Sequence, residues 1–208
     1  MLDLGNLNNR QGQPTGGLTS LNLSKGMSLD LTKRSNLKNV RVGLGWKAGN
    51  GVNFDLDASA LLLNSRGLVN DAQDVIFYNQ TNTGRGVMSL GDNRVGSNQN
   101  VGVEDDETIM VNLDEVPSNV DNILFIVTIH EAQKRRQNFG QVKNAYIRVV
   151  NEDNGVEECR YNIAENFSMQ TACEVAKLER NDNGWNFVAV GEGKVEELMQ
   201  VLIRYGVR

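Results

Sequence analysis

Two aspartates one residue apart, Asp55 and Asp57 in Phe54-Asp-Leu-Asp-Ala-Ser59, are the chain's most telling chemical feature. In an extended strand, side chains alternate between faces. Phe54, Leu56 and Ala58 therefore go to one side and both carboxylates to the other. Like charges that are neighbours on one sheet face repel, and a hard divalent cation between them turns that repulsion into attraction. A second acidic group, Glu104-Asp105-Asp106-Glu107, precedes the apolar run that starts at Thr108. Between the two groups, Gly91-Asp92-Asn93-Arg94 is a turn offering carboxylate, amide and backbone oxygens, and Asp74 and Asn79 bracket Val75-Ile-Phe-Tyr78. Calcium takes about six to eight oxygen ligands in loose geometry, and donors of this kind supply them. The same acids also read as a solvated face, the usual fate of a charge run. No EF-hand loop occurs.

Other chemistries are poorly supplied. Zinc needs histidine or cysteine clusters, and the chain has one histidine, His130, and two separated cysteines, Cys159 and Cys173. Their spacing suggests neither a disulfide framework nor a redox pair, and they read as free thiols in a reducing compartment. A nucleophile triad would have to centre on His130, which ends the apolar run Ile123–Ile129 and reads as structural. No nucleophile elbow, phosphate-binding loop or dinucleotide fingerprint is present. Paired carboxylates serve glycosidases, but the aromatic residues of a sugar cleft are missing. The expectation is a binding protein and not an enzyme.

The elements that must position these acids are short. Leu21-Asn-Leu-Ser-Lys-Gly-Met-Ser-Leu-Asp-Leu-Thr32 alternates on either side of Gly26, as two half-buried strands with a glycine turn would. Val40–Trp46, Phe54–Leu63, Val75–Tyr78, Thr108–Leu113, Ile123–Ile129, Ala145–Val150 and Trp185–Val190 are each rich in β-branched or aromatic residues and bounded by Gly, Asn or Asp. That spacing predicts an all-β fold, an antiparallel β-sandwich of two facing sheets. Two helical signals interrupt it. One is a short helix near Glu131–Gln137. The other is a C-terminal amphipathic helix whose stripe Val195, Leu198, Met199, Leu202 and Ile203 would cap the sandwich. Residues 1–17, rich in Asn, Gln and Gly, read as a flexible leader before a domain over 18–208.

Composition bounds the function further. The 208 residues are 39% hydrophobic and 23% charged, enough for a core and too polar for a membrane-embedded chain. A formal net charge of −5 speaks against nucleic acid, whose binding needs a basic face. The N-terminus has no signal-peptide pattern, and the expected location is cytoplasmic.

The ordered set of motifs is similar to the TerD family. It includes Ser24-Lys-Gly26, Val42-Gly-Leu-Gly-Trp46, Phe54-Asp-Leu-Asp-Ala-Ser-Ala60, Phe77-Tyr-Asn79, Gly91-Asp-Asn-Arg94 and Asp105-Asp-Glu107. It continues through Val127-Thr-Ile-His130, Gln137-Asn-Phe-Gly-Gln-Val142, Ile147-Arg-Val-Val-Asn151 and Arg160-Tyr161. The resemblance runs from about Leu21 to Val207. It implies a two-sheet sandwich that binds calcium through acids at one end. It also implies an association with bacterial tellurite resistance and stress response, in protein assemblies at the inner face of the membrane. Carried over by position, the metal candidates are Asp55, Asp57, Asp74, Asp92, Asn93, Asp105, Asp106 and Glu107. Calcium-dependent protein interaction is the expected mode of action. A purely structural calcium-stapled scaffold, calcium-bridged lipid docking and an enzyme stand as alternatives. Lys47 departs from the family, which usually has Asp there, as does the acid-free stretch 96–103. From the short loop that follows it, Lys47 is expected either near the Asp55/Asp57 face, competing with the cation, or pointing into solvent with no role there.

Overall fold

The computed structural model describes residues 20–32, 37–48, 54–92, 105–163 and 167–208. The leader expected at 1–17, Asn93 and the stretch 96–103 lie outside the described residues. The strands in chain order are β1 (Leu21–Leu23), β2 (Ser28–Asp30), β3 (Asn39–Ala48), β4 (Leu56–Leu63), β5 (Val75–Ile76) and β6 (Val87–Asp92), followed by β7 (Glu107–Asn112), β8 (Asn122–Ile129), β9 (Val142–Asn151), β10 (Val156–Asn162), β11 (Ala172–Asn181) and β12 (Gly184–Lys194). They form two six-stranded sheets, one ordered β1-β10-β9-β3-β7-β6 and the other β2-β12-β11-β8-β4-β5. Every pairing is antiparallel except β1 with β10.

Alternation builds the space between the sheets. Val40, Val42 and Leu44 of β3 and Ile109 and Val111 of β7 meet Ala58, Ala60 and Leu62 of β4 and Phe125 and Val127 of β8 in one buried cluster. The apolar run Ile123–Ile129 has no polar alternation because β8 is buried on both faces. Leu124 and Ile126 point the other way, into a second cluster with Leu61, Leu63, Val201 and Leu202. The covering element is the C-terminal helix, Leu198–Arg204. A helix of that length does not stand alone in water, whereas fully burying Val201 and Leu202 contributes about 1.5–3 kcal/mol each.

The structure divides the expected C-terminal stripe. Leu198, Val201, Leu202 and Tyr205, at i, i+3, i+4 and i+7, pack on the sheet, while Val195, Met199 and Ile203 remain 61–63% exposed. The helix begins only at Leu198, so Val195 precedes it, and the buried face is rotated by one residue from the predicted one. The other helical signal is a single turn, Ala132–Arg135.

Glycines in β3 have a packing reason. A Cβ on Gly43 would meet the Asp105 carboxylate, and one on Gly45 would meet the Tyr146 ring. Both side chains lie flat across the outer face of the first sheet, where only bare backbone leaves room.

Candidate functional site

The second sheet has an open edge at one end. Strand β5 pairs with β4 at Ala60 and Leu61, so among the described residues the first residues of β4 have no strand partner on that side. Glu107 fills part of the gap. It is the first residue of β7 and, in step with Ile109 and Val111, turns inward. Its carboxylate crosses from one sheet to the other to accept the Ala58 N–H at 2.9 Å. Glu107 is buried, and this bond ties the two sheets together at the mouth of the sandwich.

Around it lies a cleft of about 330 Å³ lined by Asp55, Asp57, Ala58, Tyr78, Thr81, Ser89, Gly91, Glu107 and His130. Asp57 of β4 and Asp55 just before it both contribute, on the shared face that alternation demands. The β4–β8 register pairs Leu56 with Ile129 and Asp57 with Thr128. His130 therefore stands opposite Asp55, and its N–H donates to the Asp55 carbonyl at 2.8 Å. His130 Nδ1 is 3.8 Å from Asp57 Oδ2, and Arg135 Nη2 is 3.5 Å from Asp55 Oδ2. Asp57 is the more enclosed of the two carboxylates, 18% exposed against 51% for Asp55.

The remaining candidates are distributed elsewhere. Asp92 ends β6 directly opposite Glu107 in the β6–β7 register, so its backbone borders the cleft. Asp106 accepts the Trp46 N–H at 2.7 Å. Its carboxyl is pushed above the usual range by burial, opposed by that hydrogen bond and aided by the charge of Asp105. Asp105 faces the outer side of the first sheet, its side chain wholly buried. It accepts from Arg148 Nε at 2.7 Å, Arg148 Nη2 at 2.9 Å and the Tyr146 hydroxyl at 3.1 Å, with Arg41 at 3.4 Å. Arg148 also donates to Glu157 at 3.0 Å. Burial alone would raise the Glu157 carboxyl, but hydrogen bonds from Arg160, Ser20 and Arg148 outweigh it and hold the group down at about 2. Asp74 is buried at the end of the short 3-10 turn Ala72–Asp74, accepting the Asn70 N–H at 2.8 Å and pairing with Arg85, which also reaches Asp71 at 3.0 Å. Asp74 and Asp105 thus already hold guanidinium counter-ions.

The donor set of the cleft is oxygen-rich: three carboxylates, the Ser89 and Thr81 hydroxyls and nearby backbone carbonyls, with one imidazole beside them. Such donors suit a hard cation. Among the described residues, no three His, Cys, Asp or Glu side chains are gathered closely enough to hold a metal by themselves.

Of the two places expected for Lys47, the structure gives the solvent-exposed one. Trp46 packs inward against the core, which turns the exposed Lys47 outward, opposite Lys143 of β9. The cation that does meet the aspartates is Arg135, which sequence reasoning passed over. His130 was read as structural. Its place across from Asp55 was available in principle, from pairing the Phe54–Leu63 run with the Ile123–Ile129 run.

A family profile described as the TerD domain matches residues 19–205. The chain is 48% identical over 192 residues to the tellurium resistance protein TerD of Serratia marcescens, covering 90% of this chain and 98% of that one. It is 44% identical over 194 residues to general stress protein 16U of Bacillus subtilis (strain 168), covering 91% and 98%. The fold is similar to the crystal structure of a telluride resistance protein (TerD) homologue from Streptomyces coelicolor A3(2). That likeness has a TM-score of 0.60 at 19% identity, over 80% of this chain and 95% of the other.

Proposed function

The chain belongs to the TerD family of tellurium-resistance and stress-response proteins, and from that premise we propose that it is a calcium-binding module acting through protein interactions. The observation that carries this reading is the cleft, where Asp55 and Asp57 from one sheet and Glu107 from the other line one oxygen-rich space. Calcium there would be held by Asp57 and Glu107 with Asp55 at the rim, and it would neutralise carboxylates that otherwise repel. Calcium supplies charge and loose coordination at this place. The chain supplies a rigid frame, since β4 and β7 are both anchored in the core.

Binding, and not catalysis, is the proposed mode of action. Direct reduction of tellurite would need accessible thiolates. Cys159 and Cys173 are both buried, and burial pushes the Cys173 thiol well above its ordinary range. The exposed apolar residues Val195, Met199 and Ile203 on the C-terminal helix suit a protein partner in a cytoplasmic stress assembly. No helix among the described residues is long and apolar enough to cross a membrane.

Calorimetric titration of the chelator-stripped full chain tests the proposal. Calcium should bind more tightly than magnesium, because ligands drawn from separate strands and loops do not readily form the strict octahedron of about 2.0–2.1 Å that magnesium requires. Glu107→Gln keeps an acceptor for the Ala58 N–H but removes the charge, and it should weaken calcium binding by about tenfold or more. Equal affinities for the two ions, or a Glu107→Gln titration that overlays the wild type, would count decisively against the cleft as the calcium site.

A further inference from the structure

Arg135 faces the acidic cleft from a segment held in an unusual conformation. Its Nη2 is 3.5 Å from Asp55 Oδ2, and its Nε is 3.8 Å from Glu131 Oε2. Lys134 holds Glu131 at 2.8 Å, and His130 stands 3.8 Å from Asp57. The helical turn Ala132–Arg135 is bracketed by two non-glycine residues in left-handed backbone, Glu131 with φ 50° and Arg136 with φ 53°. Side chains disfavour that region, and such residues collect where a segment switches or clamps.

The Arg135–Asp55 pair contrasts with the buried Arg148–Asp105 pair. Asp105 and Arg148 have side chains 0% and 11% exposed, whereas Asp55 and Arg135 are 51% and 35% exposed. An exposed single contact of this kind is weak. A divalent ion can displace it, yet the arginine charge remains close enough to be felt throughout the cleft.

We propose that Arg135 is a built-in competitor for the cation. It neutralises Asp55 when metal is absent and is released when calcium binds, so residue 135 sets the affinity and the 131–136 turn reports occupancy. This rests on the calcium reading of the cleft. Metal and guanidinium exclude each other because Asp55 cannot serve both fully, and because a positive charge left beside the ion repels it.

The test is calcium chloride titration of the chelator-stripped full chain as wild type, Arg135→Gln and Arg135→Lys, at low and high salt, with melting curves to confirm folding. Arg135→Gln should bind calcium about three- to tenfold more tightly at low salt, the gain shrinking as salt screens the charge. Arg135→Lys, which keeps the charge, should stay near the wild type. Calcium binding by Arg135→Gln alone would support the competitor in its strongest form. A wild type that binds calcium while Arg135→Gln binds equally or more weakly would overturn it and leave the calcium reading intact. No binding by any of the three would remove the calcium reading and the competitor together. Hydrogen exchange gives an independent readout. The Arg135 N–H, which donates to the Glu131 carbonyl at 2.9 Å, should exchange faster when calcium is added to the wild type. Unchanged exchange in calcium-loaded protein would overturn the release.

Discussion

Asp105→Ala should destabilise the fold by about 3–5 kcal/mol, because it removes one partner of a buried ion pair and leaves the other uncompensated. The Asp105 side chain is wholly buried and holds two guanidinium nitrogens of Arg148 at 2.7 and 2.9 Å and the Tyr146 hydroxyl at 3.1 Å. Without it, Arg148 loses two hydrogen bonds while keeping its contact with Glu157, and the Tyr146 hydroxyl loses its bond to Asp105. Gly43 cannot repair the loss, since it has no side chain with which to fill the space. Asp105→Asn, which preserves shape and one acceptor, should fall between alanine and the wild type. Urea unfolding measures both. A loss under about 1 kcal/mol would place this network with exposed ion pairs that contribute little. Provided it folds, Asp105→Asn should also leave calcium affinity unchanged, which separates a residue that builds the first sheet from one that lines the cleft.

Calcium should raise the melting temperature by several degrees, and chelator should reverse the rise. A ligand that binds only the folded state adds roughly 2.7 kcal/mol at a hundredfold excess over its dissociation constant. For a chain of this size each kcal/mol moves the midpoint by about 2–4 °C. The increment should be large here because the cleft joins the two sheets where, among the described residues, the start of β4 has no neighbour on the β5 side, so an ion bridging Asp57 and Glu107 adds to the hydrogen bond from Ala58. Asp57→Asn removes the more enclosed of the two aspartates and should abolish most of the difference between calcium and chelator. Superimposable melting curves with calcium and with chelator would remove the stabilising role.

The sandwich was legible wherever period-two alternation ran unbroken, as over residues 39–44 of β3 and along β4. Three strands escaped notice: β6, β10 and β11. Each carries a register shift, between Ser89 and Gly91, between Glu157 and Cys159, and between Glu174 and Ala176. A bulge inserts an extra residue and moves the apolar set out of phase. In β11, for example, the consecutive residues Val175 and Ala176 are both fully buried at the shift.

The candidate site was legible in the same uneven way. Alternation alone put Asp55 and Asp57 on one face. Within the acidic run 104–107 it could not say which carboxylate turns inward. That depends on the phase of β7, which sends Glu107 to the cleft, while Asp105 is taken by arginines from β3 and β9, strands distant in sequence. Arg135 and Lys47 make the same point. Lys47 is closer to Asp55 along the chain, but it is exposed opposite Lys143 of β9 and does not line the cleft. Arg135 arrives because the turn after β8 folds back over the Asp55 end of β4.

The most direct test of the calcium centre is a crystal grown with calcium, with anomalous scattering recorded at long wavelength. One strong peak should lie in the cleft within about 2.3–2.6 Å of carboxylate oxygens of Asp57 and Glu107, with the Arg135 guanidinium withdrawn from Asp55. A peak elsewhere in the molecule, or an empty cleft in a crystal saturated with calcium, would contradict the account.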